Sequence, residues 1–145
     1  MYHYTECGLR NVWLSNGYRS LKTEYGKATS IENVEGLHRV IGEQLAKNKA
    51  KLSGAEFRFL RKELGLSQAS FGKSFDLEGQ TVALWEKKGR VPTWADRMIR
   101  LMYIETINEN SKVKELIDRL IDLDRQDSEK QIFQETKKGW ISKAA

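Results

Sequence analysis

The stretch from Leu66 to Gly89, LSQASFGKSFDLEGQTVALWEKKG, constrains the fold more than any other part of the chain. Its periodicity favours two short helices, and the apolar residues placed to fill the angle between them are Phe71, Phe75, Leu77, Val82 and Trp85. Gly72 is small where the helices must approach closely, and Asp76 tolerates the left-handed geometry of a tight turn. Ser67 is a suitable cap for the first helix. Together these positions predict a helix-turn-helix unit.

Helices are also predicted on both sides of this unit, which gives a mainly α core. The segment AEFRFLRKELG places Phe57, Leu60 and Leu64 on one face, and Gly65 can end that helix. The helix that follows the helix-turn-helix unit begins near Pro92, because the first N–H groups of a helix have no intrahelical partner and proline can occupy such a position. The expected inner face of this last helix consists of Trp94, Met98, Leu101 and Met102.

The first part of the chain, residues 1–29, has the character of β structure. Asn16-Gly17 separates two strand-like runs and readily forms a type I′ turn, so a hairpin is predicted there, with a further short strand over residues 2–5. Trp13 and Tyr18 are interleaved with basic residues, which would also suit single-stranded nucleic acid. The favoured interpretation is that they form the core of a small sheet.

Three units are predicted along the chain: a β-rich module with a helix over residues 1–50, the helix-turn-helix domain over 51–108, and a C-terminal unit over 109–145. The helix of the first unit spans residues 30–48, with Ser30 or Asn33 as its cap. In the third unit, SKVKELIDRLIDLD predicts an amphipathic helix over 111–124. That helix either packs back on its own domain or takes part in a dimer interface. Dimerisation is favoured, through this helix, through the helix that begins near Pro92, or through both. The tail from Asp127 is expected to be disordered, unless Trp140 and Ile141 dock on a partner.

The charge distribution favours a nucleic-acid partner. The net charge is +5 with a pI near 9.3, and the basic surplus lies between Arg58 and Arg100, around the helix-turn-helix stretch. No apolar run approaches the roughly 18 residues needed to span a bilayer, and the N-terminus does not have the pattern of a signal peptide. A single cysteine, Cys7, fits a reducing compartment. We therefore expect a cytoplasmic, nucleoid-associated protein without a membrane partner.

The sequence FRFLRKELGLSQASFGKSFDLEGQTVALWEKKGRVP resembles the XRE family of Cro-type helix-turn-helix repressors over about residues 54–104. The resemblance implies a lambda-repressor-like domain that binds a palindromic operator as a dimer. The same region is similar to the C-terminal DNA-binding domain of MqsA (YgiT-family) antitoxins, whose N-terminal zinc ribbon binds a toxin. A zinc ribbon needs two Cys-x-x-Cys pairs, and this chain has Cys7 alone, so metal binding is not implied.

The resemblance implies roles for individual residues in DNA binding. Gln68 would contact a phosphate, and Gln80 would read a base, since its amide can pair bidentately with adenine. The groove-facing positions would be Glu78, Gly79, Gln80, Thr81 and Leu84. The residues flanking the phosphates would be Lys73, Lys87, Lys88 and Arg90. Because Gly79 and Leu84 replace long polar side chains and Glu78 is acidic, modest sequence specificity is expected.

The function expected from these observations is a transcriptional repressor that binds double-stranded DNA as a homodimer, antitoxin-like in pairing a β-rich module with a DNA-binding domain. The antitoxin resemblance implies a toxin protein, encoded nearby, as a further partner. The alternative is an adaptor that neutralises such a partner through its N-terminal module with little DNA reading. Cys7, His3 and His38 are too scattered to predict a metal or catalytic site. No enzymatic activity, metal or cofactor is expected.

Overall fold

The computed structural model describes residues 1–108, 115 and 132–143. Within them the fold is mainly α, as predicted, with five helices and three small antiparallel strand pairs. The helices are α1 (Val34–Asn48), α2 (Gly54–Glu63), α3 (Gln68–Ser74), α4 (Gly79–Lys88) and α5 (Thr93–Ile107). The strands are β1 (Tyr2–His3), β2 (Trp13–Leu14), β3 (Tyr18–Thr23), β4 (Gly26–Ile31), β5 (Ile132–Thr136) and β6 (Gly139–Lys143). Among these helices, none combines the length and apolar character that crossing a membrane requires.

The first three helices begin at side-chain caps, of which Asn33 and Ser67 were predicted. Asn33 begins α1 with φ 48°, and its side chain accepts a hydrogen bond from the Gly36 N–H, so Asn33 rather than Ser30 is the cap. Ser53 forms a capping box with Glu56 at the start of α2. The Ser67 side chain accepts from the Ser70 N–H at the start of α3. Local sequence alone therefore sets where these three helices begin.

One hydrophobic core is shared by all five helices. Leu45 and Ala46 of α1 pack in the same cluster as Phe57 and Leu60 of α2, Phe71 of α3, Val82 of α4 and Ile99 of α5. Leu9, from the loop between β1 and β2, is also part of it. Gly42 of α1 lies directly against the Tyr103 ring of α5. Burial raises the pKa of the Tyr103 hydroxyl to about 12, so this group stays neutral and donates to the Arg39 carbonyl. Residues on both sides of the expected boundary at 50/51 are thus packed together, and the division into units stays a prediction.

The inner face of α5 differs from the one predicted. Trp94 and Leu101 were expected to be inside, but their side chains are 45% and 48% exposed. The residues that α5 buries are Ala95, Asp96, Ile99, Met102 and Tyr103. Trp94 instead packs at the rim against the rings of Phe75 and Trp85, with ring centroids 5.1 and 5.7 Å away. The prediction was wrong for Trp94 and Leu101, whereas Met102 is buried and Met98 packs half-buried against the core, as predicted.

Asp96 connects α5 to the segment before α2. Its carboxylate is fully buried and accepts a hydrogen bond from the Leu52 N–H at 2.7 Å. Arg100 forms an ion pair with the same carboxylate, with Nε 2.9 Å from Oδ1, and Arg100 also donates to the Lys49 carbonyl. The segment KNKAKLSG between α1 and α2 is polar in sequence but is anchored in this way, and Leu52 is 1% exposed.

The N-terminal strands pair differently from the prediction. The hairpin is formed by β3 and β4, with its turn at Glu24 and Tyr25, whereas β2 pairs with β1. The hairpin predicted at Asn16-Gly17 is wrong, although Gly17 does have a positive φ of 78°. The Gly17 carbonyl accepts from the Glu32 N–H and so extends the β3–β4 ladder. A local turn signal could not show which strand would be the partner.

The aromatic residues of this module are only partly buried. Tyr18 packs against Tyr2, with ring centroids 5.4 Å apart. Trp13 stacks on His3 at 4.1 Å but is 56% exposed, so its predicted place in a sheet core is wrong. The sheets are two-stranded and too small to cover a ring on both sides.

The C-terminal tail contains a hairpin. The amphipathic helix predicted over 111–124 lies outside the described residues, apart from residue 115. Residues 132–143, expected to be disordered, form the antiparallel pair β5–β6. Its turn is closed by Thr136, whose hydroxyl donates to the Gly139 carbonyl at 2.8 Å. Phe133, Trp140 and Ile141 are exposed on this hairpin.

Candidate nucleic-acid interface

The turn between α3 and α4 has the features expected from the sequence. The Leu77 N–H donates to the Gly72 carbonyl at 2.8 Å, which brings the turn back onto α3. A Cβ on Gly72 would lie 2.7 Å from the Leu77 carbonyl oxygen, so a small residue is required there. Asp76 has a left-handed φ of 57°. Phe71 and Val82 are fully buried, so the two helices are held together by apolar contacts.

Gly79, a predicted groove residue, faces α3. A Cβ at this position would lie 3.1 Å from the Ala69 Cα and 3.2 Å from the Ala69 nitrogen. Its small size therefore permits the first turn of α4 to pack against the first turn of α3. The sequence interpretation treated this glycine as a missing reader, but its geometry gives it a packing role.

A buried ion pair joins α2 to α4. Arg61 donates to Glu86 from Nε at 2.7 Å and from Nη2 at 3.0 Å, which makes the pair bidentate. The two side chains are 7% and 5% exposed. Arg61 also donates from Nη1 to the Leu66 carbonyl at 2.8 Å. This pair fixes the last turn of α4 on the scaffold.

Gln68, the predicted phosphate contact, belongs to the same network. Its Nε2 donates to Glu86 Oε1 at 3.1 Å. This bond fixes the amide near the start of α3 and uses one of its two N–H groups. The second N–H remains able to donate to an anion.

The outer face of α4 carries the predicted reading residues. Val82 is the only residue that α4 buries. Gln80 is exposed, Thr81 is half-buried, and Leu84 is 50% exposed. Glu78 is the N-cap residue of α4, and its exposed side chain makes no capping hydrogen bond. The face therefore presents one amide, one hydroxyl and one apolar side chain to solvent.

Four cations surround this face. Lys73 lies in the last turn of α3, Lys87 and Lys88 lie in the last turn of α4, and Arg90 follows that helix. All four are exposed. Over residues 1–108, 115 and 132–143, no carboxylate is close enough to form an ion pair with any of them. Their charges are therefore available to an external polyanion.

The position of α4 also depends on a close backbone contact with α2. A Cβ on Gly54 would collide with the carbonyl oxygen of Glu86. We expect Gly54→Ala to lower the free energy of unfolding by about 2–3 kcal/mol, because backbone atoms cannot move aside as a side chain can. Urea denaturation measures the change. Ala55→Ser, at the exposed neighbouring position, should change it by less than about 0.5 kcal/mol. A Gly54→Ala protein as stable as the parent would contradict the close contact.

His38 and Cys7 form contacts that hold the fold together. Tyr4 Oη and His38 Nε2 are hydrogen-bonded at 2.8 Å, and His38 Nδ1 lies 3.0 Å from Glu63 Oε1. This series of hydrogen bonds attaches the N-terminal module to α1 and α2. Burial raises the pKa of the Tyr4 hydroxyl. Cys7 Sγ is 3.6 Å from the Tyr4 carbonyl. Within the part of the chain that the structure describes, no three His, Cys, Asp or Glu residues are grouped to hold a metal.

No family model, curated protein or solved structure matches this chain. Function must therefore be inferred from the residues themselves. The sequence interpretation missed Arg58 and Lys62, two cations four residues apart on α2 that lie beside the same network. The signal was present in the sequence, since no acidic residue stands three or four positions from either cation, where it could form an ion pair on the helix surface.

Proposed function

We propose that this protein is a DNA-binding transcriptional repressor of the helix-turn-helix type, and that α4 enters the major groove. The observation that carries the proposal is the outer face of α4, where Gln80 and Leu84 are exposed and Thr81 is half-buried. Cations without an ion-pair partner among the described residues lie in the last turn of α3 and at the end of α4. An α-helix with its side chains is about 10–12 Å across, which matches the major groove of about 12 Å.

The small glycines support this arrangement. Gly72 and Gly79 let α3 and α4 pack closely, so side chains on the far side of α4 project away from the protein. The ion pair between Arg61 and Glu86 holds α4 against α2. A rigid helix presented in this way can contact base edges with little loss of conformational freedom on binding.

The exposed face also sets the expected limits of recognition. Gln80 can form two hydrogen bonds with adenine, whereas Leu84 offers only an apolar contact to a thymine methyl group. Glu78 would bring a negative charge near the phosphate backbone of the DNA. Affinity would come largely from Lys73, Lys87, Lys88 and Arg90 through phosphate contacts. With one base-reading amide per subunit, two subunits on a palindromic site would be needed for useful specificity.

Gln80→Ala should weaken binding to the preferred duplex by about 1–3 kcal/mol, because one bidentate base contact is lost. The preferred duplex is obtained by selection from a random pool, and affinity is measured by fluorescence anisotropy at several salt concentrations. Binding to unselected duplexes should be unchanged.

Lys88→Ala provides the matched comparison. It should weaken binding to selected and unselected duplexes equally and reduce the salt slope by about one, because a phosphate contact carries no sequence information. Lys22→Ala on the β3–β4 hairpin serves as the control for the charge change and should leave both affinities unchanged. Failure to select any duplex at low salt, or equal effects of Gln80→Ala on both duplex classes, would overturn the proposal.

A second candidate function is an antitoxin-like adaptor that binds a protein through the N-terminal module. It is favoured by the exposure of the β3–β4 hairpin, where Leu21 is 55% and Tyr25 is 98% exposed. Exposed apolar residues on an open-edged hairpin suit a protein contact. A Leu21→Ser/Tyr25→Ser protein should lose binding to the protein encoded beside its gene and keep duplex affinity. Retained binding to that protein would exclude this surface.

A further inference from the structure

A cavity of about 540 Å³ lies beside α4, between the loop containing Glu6, Cys7 and Gly8 and the helices α2 and α4. This volume falls in the range of small-molecule sites, roughly 300–1,000 Å³. Its wall includes the nearly buried ring of Phe59 and the small residues Gly54 and Ala83. A site of this size with an apolar wall suits an organic molecule rather than a bare ion.

The charges around the cavity are mostly positive. Arg58 and Lys62 of α2 and Lys87 of α4 line it, and none has an ion-pair partner among residues 1–108, 115 and 132–143. Like charges four residues apart on a helix repel each other unless a counter-charge lies between them. An anion bound in the cavity would remove that repulsion.

The two carboxylates in the lining do not cancel these cations. Glu86 is already paired bidentately with Arg61 and also accepts from Gln68. Glu6 accepts a hydrogen bond from the Tyr2 hydroxyl, which lowers the pKa of its carboxyl group and keeps it charged. Three cations therefore face one uncompensated carboxylate.

We propose that this cavity binds a phosphate-bearing ligand, with Arg58, Lys62 and Lys87 as its charge partners and the free N–H of Gln68 as a donor. The site goes beyond the duplex contact of the proposed function, because α2 and the N-terminal loop form most of it. The phosphate belongs either to a free organic molecule or to the backbone of bound DNA. Since Ala83, Glu86 and Lys87 of α4 line the cavity, a free ligand would be positioned to influence how α4 meets DNA.

Cys7 gives a direct readout of occupancy, because it lines the cavity and is the only cysteine in the chain. The test measures the rate of Cys7 alkylation by N-ethylmaleimide, a neutral reagent, with inorganic pyrophosphate as the probe at constant ionic strength. Pyrophosphate should slow alkylation saturably, and chloride should not. In Arg58→Gln/Lys62→Gln the half-protecting concentration should rise at least about tenfold, the equivalent of about 1.4 kcal/mol.

The control is Lys22→Gln/Lys27→Gln, which makes the same charge change on the β3–β4 hairpin and should not alter protection. Rates with and without pyrophosphate are compared within each variant, so an effect of charge on the thiol itself cancels. Arg58 and Lys62 are exposed, and an unchanged thermal midpoint verifies that their double variant is folded. Chemical-shift changes at the Gly8 and Gly54 amides provide a second measurement.

A second arm replaces pyrophosphate with duplex DNA. If pyrophosphate slows Cys7 alkylation and duplex DNA does not displace it, the site is assigned to a free ligand. Protection by duplex that requires Arg58 and Lys62 assigns the phosphate to the DNA backbone. Absence of protection by both probes, or protection unchanged in Arg58→Gln/Lys62→Gln, overturns the proposal. Gln80→Ala, outside the cavity, should retain pyrophosphate protection, so failure of the DNA-binding proposal would leave this result intact.

Discussion

Glu86→Ala is expected to lower the free energy of unfolding by about 3–5 kcal/mol, because it leaves the Arg61 guanidinium buried without its counter-charge. Both side chains are nearly inaccessible to solvent, at 7% and 5% exposed, so water screens their interaction only weakly. The change also removes the acceptor for Gln68 Nε2. Loss of this carboxylate therefore loosens α2, α3 and α4 together.

Urea denaturation of Glu86→Ala, Arg61→Met and the double variant Arg61→Met/Glu86→Leu tests this expectation. The double variant should recover most of the stability, because replacing both members of a buried ion pair by apolar residues is often close to neutral. The unpaired charge, rather than loss of packing, would then account for the single-variant cost. A Glu86→Ala loss below about 1 kcal/mol, the value typical of exposed pairs, would show that the pair is not buried in solution.

The parts of the fold that could be predicted from sequence depend on local chemistry. Asn33, Ser53 and Ser67 mark helix starts because a side-chain oxygen satisfies a backbone N–H within three residues. Asp76 was predicted to adopt left-handed geometry, and Gly72 to permit close approach, from their positions in the turn. Each of these requirements is met within a few residues of sequence.

The parts that could not be predicted depend on partners distant in sequence. Asn16-Gly17 has the chemistry of a hairpin turn, but β3 pairs with β4, which follows it in sequence, and β2 pairs with β1. Trp94 has an apolar side chain, yet its position relative to Phe75 and Trp85 keeps it at the rim. Nothing near Asp96 in sequence indicates that it binds the Leu52 N–H.

The candidate site shows the same division. Exposure of Gln80 and of the surrounding cations follows from helical periodicity and could be predicted. The packing role of Gly79 and the bond between Gln68 and Glu86 require the angle between α3 and α4, which periodicity does not give. The cavity beside Cys7 depends on where the N-terminal loop lies, and no pattern in residues 1–29 specifies that.

Asp96→Ala is expected to be as destabilising as Glu86→Ala, again by about 3–5 kcal/mol, because it leaves a buried guanidinium and a buried N–H without their acceptor. The affected groups are Arg100, whose side chain is 11% exposed, and the Leu52 N–H. Urea denaturation measures the loss. Arg97→Ala is the matched control: Arg97 contacts the same carboxylate at 2.7 Å but is 59% exposed, so it should cost at most about 1 kcal/mol.

Hydrogen exchange distinguishes loss of the acceptor for the Leu52 N–H from loss of the ion pair with Arg100. The Leu52 amide should exchange much faster in Asp96→Ala and remain protected in Arg97→Ala, since only the first change removes its acceptor. Asp96→Asn keeps an oxygen that can accept from Leu52 and should therefore protect this amide while still losing the ion pair with Arg100. Equal exchange at Leu52 in all three proteins would mean that burial of the segment before α2, rather than the carboxylate, anchors it to α5.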